Sequence, residues 1–266
     1  MPESDLTSIP FADPRSAEIS LRRIASENTG FEAVSNALLT ALASAADPDR
    51  SLVNFERFAE NYGEGLVSTL EQNPRVIEIL VTLFSASQFL TEILLRNPHS
   101  LSLLLNRQEL ARRKTIEQIQ TESEAAIRSK SASPHPLLSP SVSPVHPLST
   151  SAPDLLRLYQ KTELLRIGAS DFLDLYDLPA VVSQISRLAI ALVRASLNLA
   201  SRQTGIPADG FVVLAMGKLG GRELNYSSDI DLLFVARDDS LDYTPLAQKL
   251  IEILSEIGRA SCRERV

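Results

Sequence analysis

Residues 211–237 read FVVLAMGKLGGRELNYSSDIDLLFVAR, and here the sequence changes its period. "FVVLAM" (211–216) is a short apolar strand, "GKLGG" (217–221) a glycine-rich turn, and "IDLLFVAR" (230–237) a second apolar strand. Asp229 and Asp231 stand on either side of Ile230 where that second strand begins. Alternate side chains of a strand share a face, so both carboxylates should point one way while Ile230 turns to the core. Their Cα atoms then lie roughly 7 Å apart, close enough to converge on one divalent cation. Mg²⁺ is commonly held by one or two carboxylates together with substrate phosphates. The glycine-rich turn offers free backbone N–H groups and Lys218 adds a positive charge, which together make an anion cradle beside a metal. Phosphoryl or nucleotidyl transfer needs this set: a cation to polarise the phosphate and donors to stabilise charge on the transferring group. Taken singly, D-x-D at a strand edge is an ordinary solvated face and G-x-x-G-G an ordinary turn. The combination, with the Ser227–Ser228 pair between them, carries the specificity. No catalytic triad or zinc-ligand spacing competes with it.

Upstream of this stretch the pattern is helical. "SLVNFERFAENYG" places Leu52, Phe55 and Phe58 on one face, with Gly63 as a stop. The next segment opens at Pro74 and aligns Val76, Ile77, Leu80, Val81 and Phe84. Ser85 or Ser87 can cap a following helix carrying Phe89, Leu90, Ile93 and Leu94, which Asn97–Pro98 ends. A polar helix is expected over 107–130. Residues 129–153 differ in kind: six prolines and eight serines in 25 residues can neither continue a helix nor build a sheet, so a disordered insertion is expected. His135 and His146 lie in it, which makes a metal role for them improbable, and His99 reads as a structural histidine in a turn. Helical patterning resumes at Asp154. In the helix that follows, Asp177 caps, Pro179 sits in the first turn, Gly205 ends the run, and Val181, Ile185, Leu188, Leu192 and Ala195 form the buried stripe. A last helix begins at Thr244. The fold class is therefore α+β and mainly α. Helical regions over 1–128 and 154–206 lead into a small α/β unit over 207–256.

Composition narrows the function classes. The chain is 44% hydrophobic and 22% charged, enough to bury a sizeable core. The net charge of -7 argues against nucleic acid as the main partner, because such binders usually carry a basic balance or stripe. The polar, acidic N-terminus is no signal peptide and no apolar run marks a membrane span, so a cytoplasmic protein is expected. The last ten residues, IGRASCRERV (257–266), match the translation of a common sequencing-library adapter at every position. Setting them aside removes three arginines, one glutamate and the lone Cys262, leaving 23 basic and 32 acidic residues, a net of -9. On that expectation the chain is the front piece of a longer protein, cut at about Glu256.

The stretch "MGKLGGRELNYSSDIDLLFV" closely resembles the signature of the glutamine synthetase adenylyltransferase/adenylyl-removing family, part of the nucleotidyltransferase superfamily of DNA polymerase β type. "NFERF", "FSASQFLTEILLRNP", "ELLRIGASDF" and "QISRLAIALVRASL" resemble the helical region that precedes the catalytic unit in these enzymes. The likeness spans about residues 48–256, the Ser/Pro insertion apart. It implies that 207–256 begin a polymerase-β-like nucleotidyltransferase domain, and that Asp229 and Asp231 are the catalytic, metal-binding carboxylates for Mg²⁺ or Mn²⁺. It further implies that Gly217, Lys218, Gly220, Gly221 and Ser228 shape the side that receives ATP, ADP or phosphate. Glu223 and Asn225 belong to the signature without an assigned role. Family members carry two such halves: one adds AMP from ATP to a tyrosine of glutamine synthetase, and the other removes it by phosphorolysis. The position of the match suggests the N-terminal, adenylyl-removing half. Glutamine synthetase is the implied partner and a PII-type signal protein a candidate second one. The superfamily also uses a third carboxylate from a later strand, and none follows before Glu256, so this chain alone is expected to be inactive or nearly so. Two other readings stay open: a nucleotidyltransferase with another acceptor, and a non-catalytic helical scaffold.

Overall fold

The computed structural model describes residues 9–129, 151–237 and 241–262. The Ser/Pro insertion lies almost wholly outside the described residues, as do the last four residues of the tail. The chain divides into two compact units, Met1–Ala111 with Gly168–Leu175, and Arg112–Ile167 with Tyr176–Val266.

The first unit is helical. Its elements are α1 (Pro14–Glu27), α2 (Glu32–Ala43), α3 (Pro48–Tyr62), α4 (Leu66–Gln72), α5 (Arg75–Ala86), α6 (Gln88–Arg96), a 3-10 turn at Pro98–Ser100, α7 (Leu101–Leu104) and α8 (Arg107–Ala111). Local chemistry sets the ends. Asp47 accepts from the Arg50 N–H at the start of α3, and Gly63 closes that helix. Of the two serines that could cap α6, Ser87 does so by accepting from the Leu90 N–H. Ser85 instead accepts from the Asp47 N–H, 2.9 Å away. The helix α3 packs against α1 and α5. Its expected face, Leu52, Phe55 and Phe58, is fully buried, as are Val76, Ile77, Leu80, Val81 and Phe84 of α5. Phe58 anchors this core, with ring centroids 5.7 Å from Tyr62 and 5.8 Å from Phe84. His99, in the 3-10 turn, lies 5.7 Å from the Tyr62 ring.

The second unit holds α9 (Ile116–Ser129), most of α10 (Ala152–Phe172), α11 (Leu178–Thr204), α12 (Gly217–Gly220), α13 (Thr244–Cys262) and a two-stranded sheet, β1 (Phe211–Met216) and β2 (Asp231–Ala236). The single polar helix expected over 107–130 is broken. Residues 112–115 are irregular, and α9 starts from a capping box in which Thr115 and Gln118 exchange side-chain to backbone bonds. Buried side chains satisfy the freed carbonyls. Arg166 and Tyr176 donate to the Arg112 carbonyl at 2.7 and 2.6 Å, and Gln184 donates to the Lys114 carbonyl at 2.9 Å. Glu163 pairs with Lys114 at 2.7 Å and with Arg166 at 3.0 Å, and Lys114 also reaches Glu122 at 2.6 Å. Burial pulls the Arg166 charge down, but Glu163 and Tyr176 outweigh it and hold its pKa above the ordinary arginine value. Burial, with Glu163 and Glu122 beside it, raises the pKa of Tyr159.

The helix α11 follows expectation at both ends, capped by Asp177 and closed at Gly205, and its five-residue stripe is buried. By length and composition it could cross a bilayer, yet 61% of its apolar stretch is buried inside the protein, as in a core helix. The strand β1 covers the expected residues, while β2 begins at Asp231, one residue later than expected. The strands pair antiparallel in the register Phe211↔Ala236 to Met216↔Asp231.

Candidate functional site

The register puts Asp231 opposite Met216, the last residue of β1, so the second carboxylate lies where the glycine-rich segment leaves the sheet. Asp229 and Asp231 are both exposed and Ile230 between them is half-buried, but only Asp231 lies on the strand, since Asp229 and Ile230 precede β2. Asp231 shares its sheet face with Val212, Leu214, Met216, Leu233 and Val235, all substantially exposed. Neither carboxylate takes an ion pair or hydrogen bond among the described residues.

The expected turn after β1 is one turn of helix, α12. Two of its glycines are needed for close approach. A Cβ on Gly217, whose φ is +52°, would stand 2.9 Å from Asp231 Oδ2, and a Cβ on Gly220 would stand 2.6 Å from the Ala215 carbonyl oxygen. Gly221 caps the turn, where a Cβ would meet the Glu223 side chain only at ordinary contact distance. Arg222 follows in the left-handed region, φ +59°, a conformation non-glycine residues adopt at a cost.

The remaining signature residues close the loop on itself. Asn225 Oδ1 accepts from Ser228 Oγ at 2.6 Å and from the Ser227 N–H at 3.1 Å. Ser228 Oγ in turn accepts from the Asn225 N–H and from Lys218 Nζ, at 3.4 and 3.5 Å. The Glu223 N–H donates to the Lys218 carbonyl at 2.8 Å. Leu219 and Leu224 turn inward, 2% and 4% exposed, and the Leu224 N–H donates to Ser186 Oγ of α11 at 3.1 Å. The fold therefore brings Gly217 against Asp231 and Lys218 against Ser228, the residue before Asp229, and assigns Asn225 the task of folding the loop. Sequence reasoning missed Ser186, Leu219 and Leu224. The two leucines had a signal, apolar residues inside a polar glycine-rich loop, whereas Ser186 had none.

Two exposed carboxylates are a hard-oxygen donor set, which fits Mg²⁺ or Mn²⁺ rather than a softer metal. Among the described residues no group of three His, Cys, Asp or Glu side chains is placed to hold a metal. The chain thus supplies two donors of the kind that phosphate oxygens and water complete.

Comparison with known proteins bears on this arrangement. The family model for glutamate-ammonia ligase adenylyltransferase matches residues 77–262, which contain the whole signature loop and both aspartates. The chain is 26% identical over 264 residues to a bifunctional glutamine synthetase adenylyltransferase/adenylyl-removing enzyme of Leifsonia xyli, covering 97% of this chain and 24% of that protein. The enzyme of the same name from Streptomyces avermitilis is 30% identical over 234 residues, 85% of this chain and 20% of its own length. The one from Methylococcus capsulatus is 36% identical over 124 residues, 39% of this chain. The chain spans about a quarter or less of the length of these relatives.

Proposed function

This chain belongs to the glutamate-ammonia ligase adenylyltransferase family, and from that premise we propose that it carries part of the site for metal-dependent transfer of AMP to, or phosphorolytic removal of AMP from, a tyrosine of glutamine synthetase. The observation that carries the proposal is a pair of exposed aspartates, Asp229 and Asp231, separated by one residue in sequence, with Asp231 against the backbone of Gly217. In the removing direction a phosphate oxygen attacks the phosphorus of the adenylyl-tyrosine. The bond from phosphorus to the tyrosine oxygen breaks, ADP leaves, and the phenolate takes up a proton. In the adding direction the tyrosine hydroxyl loses its proton, its oxygen attacks the α-phosphorus of ATP, and pyrophosphate leaves.

Asp229 and Asp231 would hold Mg²⁺ or Mn²⁺, which when bound would offset negative charge on the reacting phosphate. Lys218, whose Nζ lies 3.5 Å from Ser228 Oγ, adds a positive charge toward the anion. Gly217 leaves room for Asp231 without a side chain in the way, and Gly220 lets the turn press against Ala215 of β1. Glutamine synthetase is the macromolecular partner, with a PII-type signal protein as a second one, and the cytoplasm is the compartment. Residues 207–256 are read as the opening of the nucleotidyltransferase domain and 257–266 as an adapter-derived tail.

The test is made on the protein extended to the length of its relatives. With adenylylated glutamine synthetase and phosphate, or with glutamine synthetase and ATP, it should release ADP or pyrophosphate in a Mg²⁺-dependent reaction. Asp229→Asn should abolish that release, and an unchanged rate in this variant would sink the assignment.

A further inference from the structure

We infer that Ser186, a serine of α11 more than forty residues upstream of Asp229, is a positioning residue for the carboxylate pair. The inference rests on the metal reading of Asp229 and Asp231 proposed above. Residues 217–228 are joined to the sheet at both ends and closed internally by Asn225, Ser228 and Lys218. Those bonds set the shape of the loop but not where it sits. Its placement against the helix draws on buried Leu219 and Leu224 and on a directional tie, the Leu224 N–H to Ser186 Oγ bond of 3.1 Å. Apolar contacts are non-directional and permit sliding, whereas a buried hydrogen bond to a fixed rotamer does not.

The rotamer of Ser186 is fixed. It is 1% exposed, and its hydroxyl donates to the Val182 carbonyl at 2.8 Å, which leaves its lone pairs for the Leu224 N–H. Leu224 adjoins Asn225, whose side chain holds Ser228, the neighbour of Asp229. A shift of the loop at Leu224 is therefore transmitted through Asn225 and its hydrogen bond with Ser228 to the first carboxylate. At the other end it moves Gly217 against Asp231.

The same helix supplies an internal control. Ser196 is as deeply buried, yet its hydroxyl has no hydrogen-bond partner among the described residues. Ser186→Ala and Ser196→Ala thus delete the same atom from the same helix, and only the first touches the loop.

The experiment measures Mn²⁺ binding to the 266-residue chain by electron paramagnetic resonance, well below the melting temperature of each variant, together with amide exchange at Leu224. Ser186→Ala should weaken Mn²⁺ about tenfold, the lower end of the range for groups that orient metal ligands, and should speed Leu224 exchange. Ser186→Thr, which keeps a hydroxyl at the same place, should restore both, and Ser196→Ala should change neither. Should Ser186→Ala not fold, Ser186→Cys, a poorer acceptor of similar size, takes its place. Equal Mn²⁺ affinity in the Ser186 and Ser196 variants would overturn the positioning role and leave the metal reading intact. A wild-type chain that takes up no Mn²⁺, with Asp229→Asn behaving identically, would overturn the metal reading and this inference with it.

Discussion

Glu163 lies on α10 with no exposure, 2.7 Å from Lys114 Nζ and 3.0 Å from Arg166 Nε, whereas Asp229, just before β2, and Asp231, its first residue, stand exposed and take no partner among the described residues. Both groups belong to the second unit and both are carboxylates, but they do opposite things. Removing a charge from water costs several kcal/mol, and the cost is met only when partners surround it. Glu163 has such partners in Lys114 and Arg166, so its charge is committed to joining α10 to the irregular segment before α9. Asp229 and Asp231 keep their hydration and their lone pairs, so they remain available to a cation. Commitment of the partners, rather than the carboxylate itself, separates structure from chemistry here.

The largest effect that would sharpen this contrast is loss of the buried carboxylate. Glu163→Gln removes the charge between two buried cations, and breaking such a pair costs about 3–5 kcal/mol. Thermal unfolding should shift down by about 10 °C. A shift within a degree or two would mean that Lys114 and Arg166 find other compensation and that the network is not structural.

Next in size is a change that leaves every charge in place but disturbs the loop beside the exposed pair. Gly220→Ala puts a methyl group 2.6 Å from the Ala215 carbonyl oxygen, a backbone atom that moves only with β1. Overpacking of this kind costs about 1–3 kcal/mol. Denaturant unfolding checks it, with Gly221→Ala as the partner experiment, since a Cβ there meets nothing closer than ordinary contact. Equal costs at the two positions would break the claim that the loop is pressed against the strand.

Asp231→Asn tests the other half of the contrast. The carboxylate holds nothing in place among the described residues, so stability should change by less than about 0.5 kcal/mol, the usual bound for a surface substitution. Mn²⁺ binding should nevertheless be lost. A large loss of stability would show that the aspartate is structural after all, and the comparison with Glu163 would collapse.

The two regions also differ in how much of them could be read in the sequence. Asp47, Ser87, Asp177, Gly63 and Gly205 set helix ends through bonds to residues a few positions away, and their signals are equally local. The strands, the glycine-rich turn and the D-I-D spacing were legible for the same reason, because the pieces adjoin. The break at 112–115 carried a local signal in Thr115 and Gln118, but a continuous polar pattern masked it. The Glu163 network carried none. Its members lie 49 residues apart for Lys114 and Glu163 and 70 for Lys114 and Gln184, and only the packing of three helices brings them together. Ser186 was invisible in the same way, 38 residues from its partner and of a type common on any helix face.

Glu124 lies between these extremes and tests whether partial burial with partial commitment gives an intermediate result. It sits on α9, partly buried, accepting from Gln120 and Asn198 at 3.0 Å each, with Arg128 at 3.7 Å. The Gln120 side chain first, then Asn198 and Arg128, hold its carboxyl below the ordinary glutamate value of 4.5, against a smaller opposing effect of burial. The unfolded chain therefore binds the proton more readily than the folded one. Stability from Glu124 is complete above the ordinary value and is lost as pH falls through the lowered folded value. Glu124→Gln cannot titrate, so its unfolding midpoint should fall less steeply than wild type on the acid side and keep a constant, small offset near neutrality. This is the smallest of the four effects, since the group is solvated and salt screens its ion pair. An identical acid limb in the two proteins would place Glu124 with Asp229 and Asp231 among the uncommitted charges. A steeper limb in Glu124→Gln would contradict the direction of its shift.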